Sequence, residues 1–354
     1  MTDDILFEQK GDWGVVTLNR RQALNALTWD MVKAFRAKLS EWADDHAICA
    51  VLVKGAGDKA FCAGGDIRWL HDEAKKDPAH ASEFFREEYR NNAAIYHFPK
   101  PYVALIDGVV MGGGVGVSVH GDFRVAGDRT LFAMPETGIG LFPDVGGGHF
   151  MPRLGGGLGL YLALTGARAK AADCVYAGVA THYAPTEKMP ALEEALEEAD
   201  LAGSAHAAIA HLLDAYAEDA GAPTLDDHRS AIDRHFSTAG GLDDVMASLR
   251  ADDSDFAKDT LGVLTRMSPA SMRITFEQMK RGAGLDFDDV MKMEFRIVRR
   301  VMEGHDFFEG VRAQIIDKDR KPQWRPSALD ALGDADIAHY FESLGEAELE
   351  LGEE

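Results

Sequence analysis

Tyr102-Val103-Ala104-Leu105-Ile106-Asp107-Gly108-Val109-Val110-Met111-Gly112-Gly113-Gly114-Val115-Gly116 sets the architecture expected of this chain. The stretch begins as a short apolar run of buried-strand type and passes through glycines into an apolar, helix-like pattern. Residues 50–54 repeat the arrangement, leading to Phe61-Cys62-Ala63-Gly64-Gly65-Asp66 and a second helical pattern. Further short strands are predicted at Phe123–Ala126 and Leu131–Ala133. Upstream, residues 5–18 alternate as two strands around Lys10-Gly11-Asp12, and Thr28 is placed to cap a helix running to about Asp44. This order predicts an α/β core over residues 1–190. Ala, Glu, Leu and Asp then dominate and strand formers thin out, so residues 191–345 are expected to be mainly helical, with a frayed acidic tail at 346–354.

The whole-chain composition excludes several classes of function. A chain of 354 residues that is 46% hydrophobic is an ordinary globular protein, large enough for a substantial core. Its net charge of −22, from 59 acids and 37 bases, argues against nucleic acid or an anionic membrane surface as partner, since both demand clustered positive charge. No run reaches the length of a membrane span, and the acidic start Met1-Thr2-Asp3-Asp4 lacks the apolar or Arg-rich look of a leader. Cys49, Cys62 and Cys174 are odd in number and scattered, which suggests neither disulfides nor zinc and points to a reducing, cytoplasmic setting. No metal site is expected, because His206 and His211 miss the four-residue spacing that stacks two imidazoles on one helix face.

The two glycine segments have a chemical reading and a structural one. A peptide N–H can approach a substrate oxygen closely where no Cβ intervenes, and two such groups converging make an oxyanion hole. The alternative is close packing of helix on strand. Neither segment spells a dinucleotide fingerprint or a phosphate loop. Gly116-Val117-Ser118-Val119-His120-Gly121 misses a nucleophile elbow by one place, leaving Ser118 and His120 as packing residues.

A third segment, Met134-Pro135-Glu136-Thr137-Gly138-Ile139-Gly140-Leu141-Phe142-Pro143-Asp144-Val145-Gly146-Gly147-Gly148, sets two carboxylates among glycines, prolines and apolar side chains. Each acid follows a proline and so sits on a stiffened turn. Apolar surroundings would raise their pKa values and suit them to acid or base work. The competing reading is a helix cap at Glu136 and a turn start at Asp144.

Together these pieces resemble the crotonase, or enoyl-CoA hydratase/isomerase, superfamily. The resemblance rests on Leu18-Asn19-Arg20 with Leu24-Asn25-Ala26-Leu27, on residues 59–67, on Asp107-Gly108 with the triple glycine, and on Met134-Pro135-Glu136. Within the superfamily the chain is most similar to the 3-hydroxyisobutyryl-CoA hydrolases. That closer match is carried by Phe84-Phe85-Arg86-Glu87-Glu88-Tyr89, residues 112–120 and 138–148, Pro152-Arg153-Leu154, Ser268-Pro269, residues 308–313, and Ile316-Asp317-Lys318-Asp319.

The resemblance implies a spiral of ββα units with a helical C-terminal region completing the fold, and a short-chain 3-hydroxyacyl-CoA thioester as substrate. Gly65 and Gly113 would supply the oxyanion hole, Glu136 and Asp144 the catalytic carboxylates, and Glu88, Gly113, Glu136 and Asp144 the substrate contacts. Coenzyme A arrives as part of the substrate, so no separate cofactor is implied; Arg20, Arg21 and Lys59 are candidates for its phosphates. If 3-hydroxyisobutyryl-CoA is the substrate, the pathway is valine catabolism. The superfamily core forms trimers and pairs of trimers. Hydratases of the superfamily carry a glutamate three places after the second oxyanion glycine, where this chain has Gly116. An enoyl-CoA or dienoyl-CoA isomerase, a hydratase, and a non-catalytic binding protein of the same fold are the competing readings. For Glu88 the competing reading is an exposed residue on a charged helix face.

Overall fold

The computed structural model describes residues 3–201 and 203–352. Met1 and Thr2 of the N-terminal reading and the last two residues of the acidic tail lie outside the described residues. The chain divides into two compact units that interleave in sequence: Met1–Gly65, Arg90–Phe132 and Ala169–Asp226 form the first, and Asp66–Tyr89, Ala133–Arg168 and Asp227–Glu354 the second. A single cut in the chain therefore separates neither.

The first unit carries the sheets. β1 (Ile5–Lys10), β2 (Trp13–Leu18), β3 (Ala50–Gly55), β5 (Tyr102–Leu105), β7 (Phe123–Ala126) and β10 (His182–Tyr183) lie side by side in that order. β4 (Ala60–Cys62), β6 (Val109–Met111), β8 (Leu131–Ala133) and β9 (Ala169–Lys170) form a second, four-stranded sheet. Each turn of the chain thus gives one strand to the large sheet and the next to the small one, through β3 and β4, β5 and β6, then β7 and β8. This is the spiral of ββα units. β1 and β2 are an antiparallel hairpin, whereas β2, β3, β5, β7 and β10 pair in parallel.

Alternation of side chains explains why the large sheet forms. The pairing puts Val15 beside Leu52, Leu52 beside Val103, and Val103 beside Phe123, a continuous apolar row across four strands. The helices Met189–Glu197 and Ala205–Tyr216 cover this row with Met189, Leu192, Leu196, Ile209 and Leu213, so the stretch after residue 190 packs on the sheet itself. Burying one such aliphatic side chain stabilises by about 1.5–3 kcal/mol. Thr28 caps Trp29–Asp44 by accepting from the Met31 N–H, as its sequence position predicts.

The second unit is mainly helical, and none of its helices is long and apolar enough to cross a membrane, nor is any other among the described residues. Helices pack against the 138–148 segment at its glycines. A Cβ on Gly282 would lie 2.0 Å from Gly148 O, and one on Gly310 would lie 2.3 Å from the Ile139 carbonyl carbon. The acidic tail is tied down where the sequence predicted fraying. Arg86 donates to the carbonyls of Ala347 and Glu348, Arg296 donates to the Glu348 carboxylate, and Leu349 is buried. Acidity alone predicted a solvated end, but two arginines from the same unit bind it, one through backbone carbonyls and one through the Glu348 carboxylate.

These close approaches give a stability test by urea denaturation. A Cβ on Gly114 would sit 2.2 Å from Cys62 O, so Gly114→Ala is expected to lower stability by about 2–3 kcal/mol. Gly262, inside the helix Asp255–Leu264, has nothing nearer than Arg266 Nη1 at 4.0 Å. Gly262→Ala is expected to raise stability by about 0.5–1 kcal/mol. A neutral Gly114→Ala would refute the close packing.

Candidate active site

In the first unit, the parallel strands β4 and β6 end in the two glycine turns. Gly64 takes φ +110° and Gly112 φ +48°, conformations that a side chain would oppose. A Cβ on Gly64 would lie 3.3 Å from Met111 O and 3.6 Å from Gly113 N, so the two turns lie against each other. Leu27 N–H donates to Gly64 O, and Gly65 stands opposite Leu27 as an isolated bridge. Gly113 opens the short helix Gly113–Gly116. Among the described residues, neither the Gly65 N–H nor the Gly113 N–H donates to a backbone carbonyl. Both are donors available to an incoming oxygen. Cys62 is buried, with its thiol 3.7 Å from Gly64 O.

The loop after β2 also belongs to the first unit. Leu24 and Asn25 are both left-handed, and Asn25 Nδ2 pins the loop by donating to Ala56 O and Ala60 O. Arg20 donates to Ala26 O and lies 3.9 Å from Asp4, so it serves this loop. Arg21 and Lys59 instead line a pocket of ≈ 340 Å³ with Leu24, Asn25, Gly57 and Asp58. That volume is within the range of ligand sites.

In the second unit, the carboxylates come together in apolar surroundings. Glu88, Glu136 and Asp144 are 3%, 5% and 4% exposed, which removes the reading of Glu88 as a solvated helix-face residue. Glu136 opens a short 3-10 turn, Glu136–Ile139, after Pro135. Asp144 accepts a 2.8 Å hydrogen bond from Tyr89 Oη. Its turn-starting role is present as well, since Gly147 N–H donates to Asp144 O.

Desolvation governs the electrostatics of this group. Burial pushes the Glu88 carboxyl well up, and the charges of Asp144 and Glu136 push it further. Burial and then the Asp144 charge do the same to Glu136. Asp144 rises only to about 7, because the Tyr89 hydroxyl and a backbone hydrogen bond favour its ionised form. Glu88 Oε1 and Glu136 Oε2 are buried with no hydrogen-bond partner. A buried acid without partners is costly, and such groups cluster where a ligand completes them.

Glu294 is a fourth buried carboxylate, and sequence reasoning missed it. It lies in Phe287–Val301, where Val290, Met291, Val298 and Val301 share its buried face at helical spacing. That position on an apolar stripe was the available signal, obscured by the charges around it. Glu294 Oε2 accepts from Gly146 N–H at 2.8 Å; Oε1 accepts from Gly148 N–H at 2.8 Å and from Gln278 Nε2 at 2.9 Å. Burial raises its pKa to about 8 against the pull of these donors. Tyr89, the hydrogen-bond donor to Asp144, is a second residue of the site whose part the sequence does not reveal.

Comparison with known proteins identifies the family. The enoyl-CoA hydratase/isomerase family profile matches residues 13–341. The chain is 50% identical over 353 residues to "3-hydroxyisobutyryl-CoA hydrolase, mitochondrial" of Danio rerio, covering 98% of this chain and 92% of that protein. It is 46% identical to the Homo sapiens protein of the same name, over 99% and 91% of the two chains. Among solved structures, a carnitinyl-CoA dehydratase from Mycobacterium thermoresistibile superposes with a TM-score of 0.92 at 39% identity, covering 100% of both chains. An enoyl-CoA hydratase from Rhodobacter sphaeroides 2.4.1 gives 0.89, also at 39% identity, over 98% and 100%. The mitochondrial names of the sequence relatives overturn the cytoplasmic setting inferred from the cysteines. Thiol usage separates reducing from oxidising surroundings and carries no address. Full-length identity, the spiral of ββα units and the paired glycine turns agree: the chain belongs to the enoyl-CoA hydratase/isomerase family.

Proposed function

We propose that this protein hydrolyses a short-chain 3-hydroxyacyl-CoA thioester, 3-hydroxyisobutyryl-CoA, to the free acid and coenzyme A, a step of valine catabolism. The observation that carries the reading is the trio Glu88, Glu136 and Asp144, buried together with two carboxyl oxygens unpartnered. The names of the sequence relatives support it. Gly116 supports it too, because it leaves no carboxylate at the place where hydratases of this superfamily carry a glutamate.

In this reading the Gly65 and Gly113 N–H groups take the negative charge that gathers on the thioester oxygen. Glu136 either attacks the carbonyl carbon, giving a mixed anhydride that water then opens, or removes a proton from the attacking water. In both routes a C–O bond forms and the C–S bond breaks; the sulfur leaves as thiolate and takes up the proton that the attacking water gives up. Asp144, held by Tyr89, orients the water or the 3-hydroxyl, and Glu88 meets that hydroxyl. An acyl chain without the hydroxyl would leave a buried polar group unpaired, which selects against it. Arg21 and Lys59, lining their pocket, are the bases for the coenzyme phosphates. Carnitinyl-CoA dehydratase and enoyl-CoA hydratase, the names of the solved neighbours, make double-bond chemistry the second reading.

Free-thiol release separates the two. With 3-hydroxyisobutyryl-CoA the wild type is expected to liberate thiol, with acetyl-CoA and crotonyl-CoA far slower, and Glu136→Gln is expected to lower kcat by about 10²–10⁴-fold. Loss or migration of an enoyl double bond without free thiol would establish the second reading instead.

The pH profile tests the electrostatics. Glu136 must be ionised to act, and the Asp144 charge raises its pKa, so kcat/KM is expected to climb with pH through neutrality as the cluster loses protons. Asp144→Asn removes that negative charge. Its residual activity should reach half-maximum at a lower pH than wild type. An unshifted limb would mean that the two carboxyls do not sense each other.

A further inference from the structure

The residue after Asp144 is conformationally out of place. Val145 is fully buried and takes φ +50°, followed by Gly146 at φ +87°. Gly146 reaches the left-handed region at no steric cost. A β-branched valine does not, and it persists there only when its surroundings impose the conformation. Nothing in the local sequence favours that conformation for Val145, so the source lies elsewhere in the second unit.

That source is visible in the hydrogen bonds. Consecutive backbone turns at residues 145–148 point the Gly146 and Gly148 N–H groups to one place, and Glu294 occupies it with one carboxylate oxygen for each. Gln278 Nε2 bridges Glu294 Oε1 and Pro143 O, the carbonyl immediately before Asp144. The loop is therefore held on both sides of Asp144. Three donors converge on Glu294, whose two oxygens accept all three hydrogen bonds.

We propose that Glu294, with Gln278, is a positioning residue: by gathering the Gly146 and Gly148 N–H groups it holds Val145 left-handed and so keeps Asp144 aimed at Tyr89. The inference rests on the reading above that Asp144 serves hydrolysis. The hydrogen bonds do more than satisfy buried amides, because the conformation that they impose belongs to the residue adjoining the functional carboxylate. The chain could have placed glycine at residue 145 and avoided strain; valine makes the loop depend on its clamp.

The test uses the full chain with Glu294→Gln, Val145→Gly and the double variant. Glutamine at residue 294 turns one acceptor into a donor facing an N–H. Kinetics with 3-hydroxyisobutyryl-CoA are expected to show kcat lowered about 10–100-fold, a positioning effect, with KM little changed. Hydrogen exchange of the Gly146 and Gly148 amides should accelerate while exchange elsewhere stays as in wild type. Glycine at residue 145 removes the strain, so the double variant should recover kcat about fivefold over Glu294→Gln, with Tm no higher. Gln278→Ala, a milder lesion, should give the same pattern at smaller amplitude and serves if Glu294→Gln fails to fold. A Glu294→Gln enzyme with lowered Tm but wild-type kcat, or a double variant without recovery, overturns the proposal. If the wild type releases no thiol, the hydrolase reading fails; the exchange arm still decides the clamp, since unchanged exchange at Gly146 and Gly148 overturns it.

Discussion

Taking four carboxyl groups out of water is the constraint to which the second unit answers. Each buried charge costs several kcal/mol unless hydrogen bonds or protons offset it. The structure divides the four into two kinds. Asp144 and Glu294 are supplied with donors, from Tyr89, from backbone N–H groups and from Gln278, and their pKa values stop at about 7 and about 8. Glu88 and Glu136 each keep an oxygen without a partner and are pushed further up. Groups so separated are the arrangement from which acid and base roles are drawn. Glu294 is bound to the loop that bears Asp144, whereas Glu88 and Glu136 keep oxygens that no protein group meets.

Much of the fold was legible because local rules and tertiary packing agree. The strands Phe123–Ala126 and Leu131–Ala133 stand where apolar alternation predicted them, and Thr28 caps its helix. Glu136 and Asp144 were legible because prolines and glycines isolate them from any charged helix face. Glu294 was not, since its partners Gly146 and Gly148 are far away in sequence and its own helix reads as charge-rich. Val145 was equally hidden: no sequence pattern announces a valine that neighbours hold left-handed. The anchoring of the acidic tail also depends on distant partners, Arg86 and Arg296, that composition cannot see.

The glycines of the chain divide their labour in the same way. Gly64 and Gly112 need their positive φ to turn the backbone after β4 and β6, and the absence of Cβ atoms lets the two turns touch. Gly148 and Gly282 instead let the second unit's helices close on the loop that bears Asp144. One set exposes peptide N–H groups and the other presses packing onto a carboxylate. Close packing, one of the two readings that the sequence left open for its glycine segments, is present at Gly114, where a Cβ would meet Cys62 O.

The spiral of strands also governs where the chain can change length. Within each turn the large sheet passes to the small one through brief connections, 56–59, 106–108 and 127–130. So short a connection absorbs little, and a residue added or deleted there would press the following strand out of register with its neighbours. It would also move the glycine turns at the ends of β4 and β6 relative to each other. The connections that follow the second strand of each turn have more room in their helices, but those after β4, β6 and β8 also bear Glu88, Gly113, Glu136 and Asp144. A change of chain length is therefore expected to cost either the register of the strands or the placing of these residues.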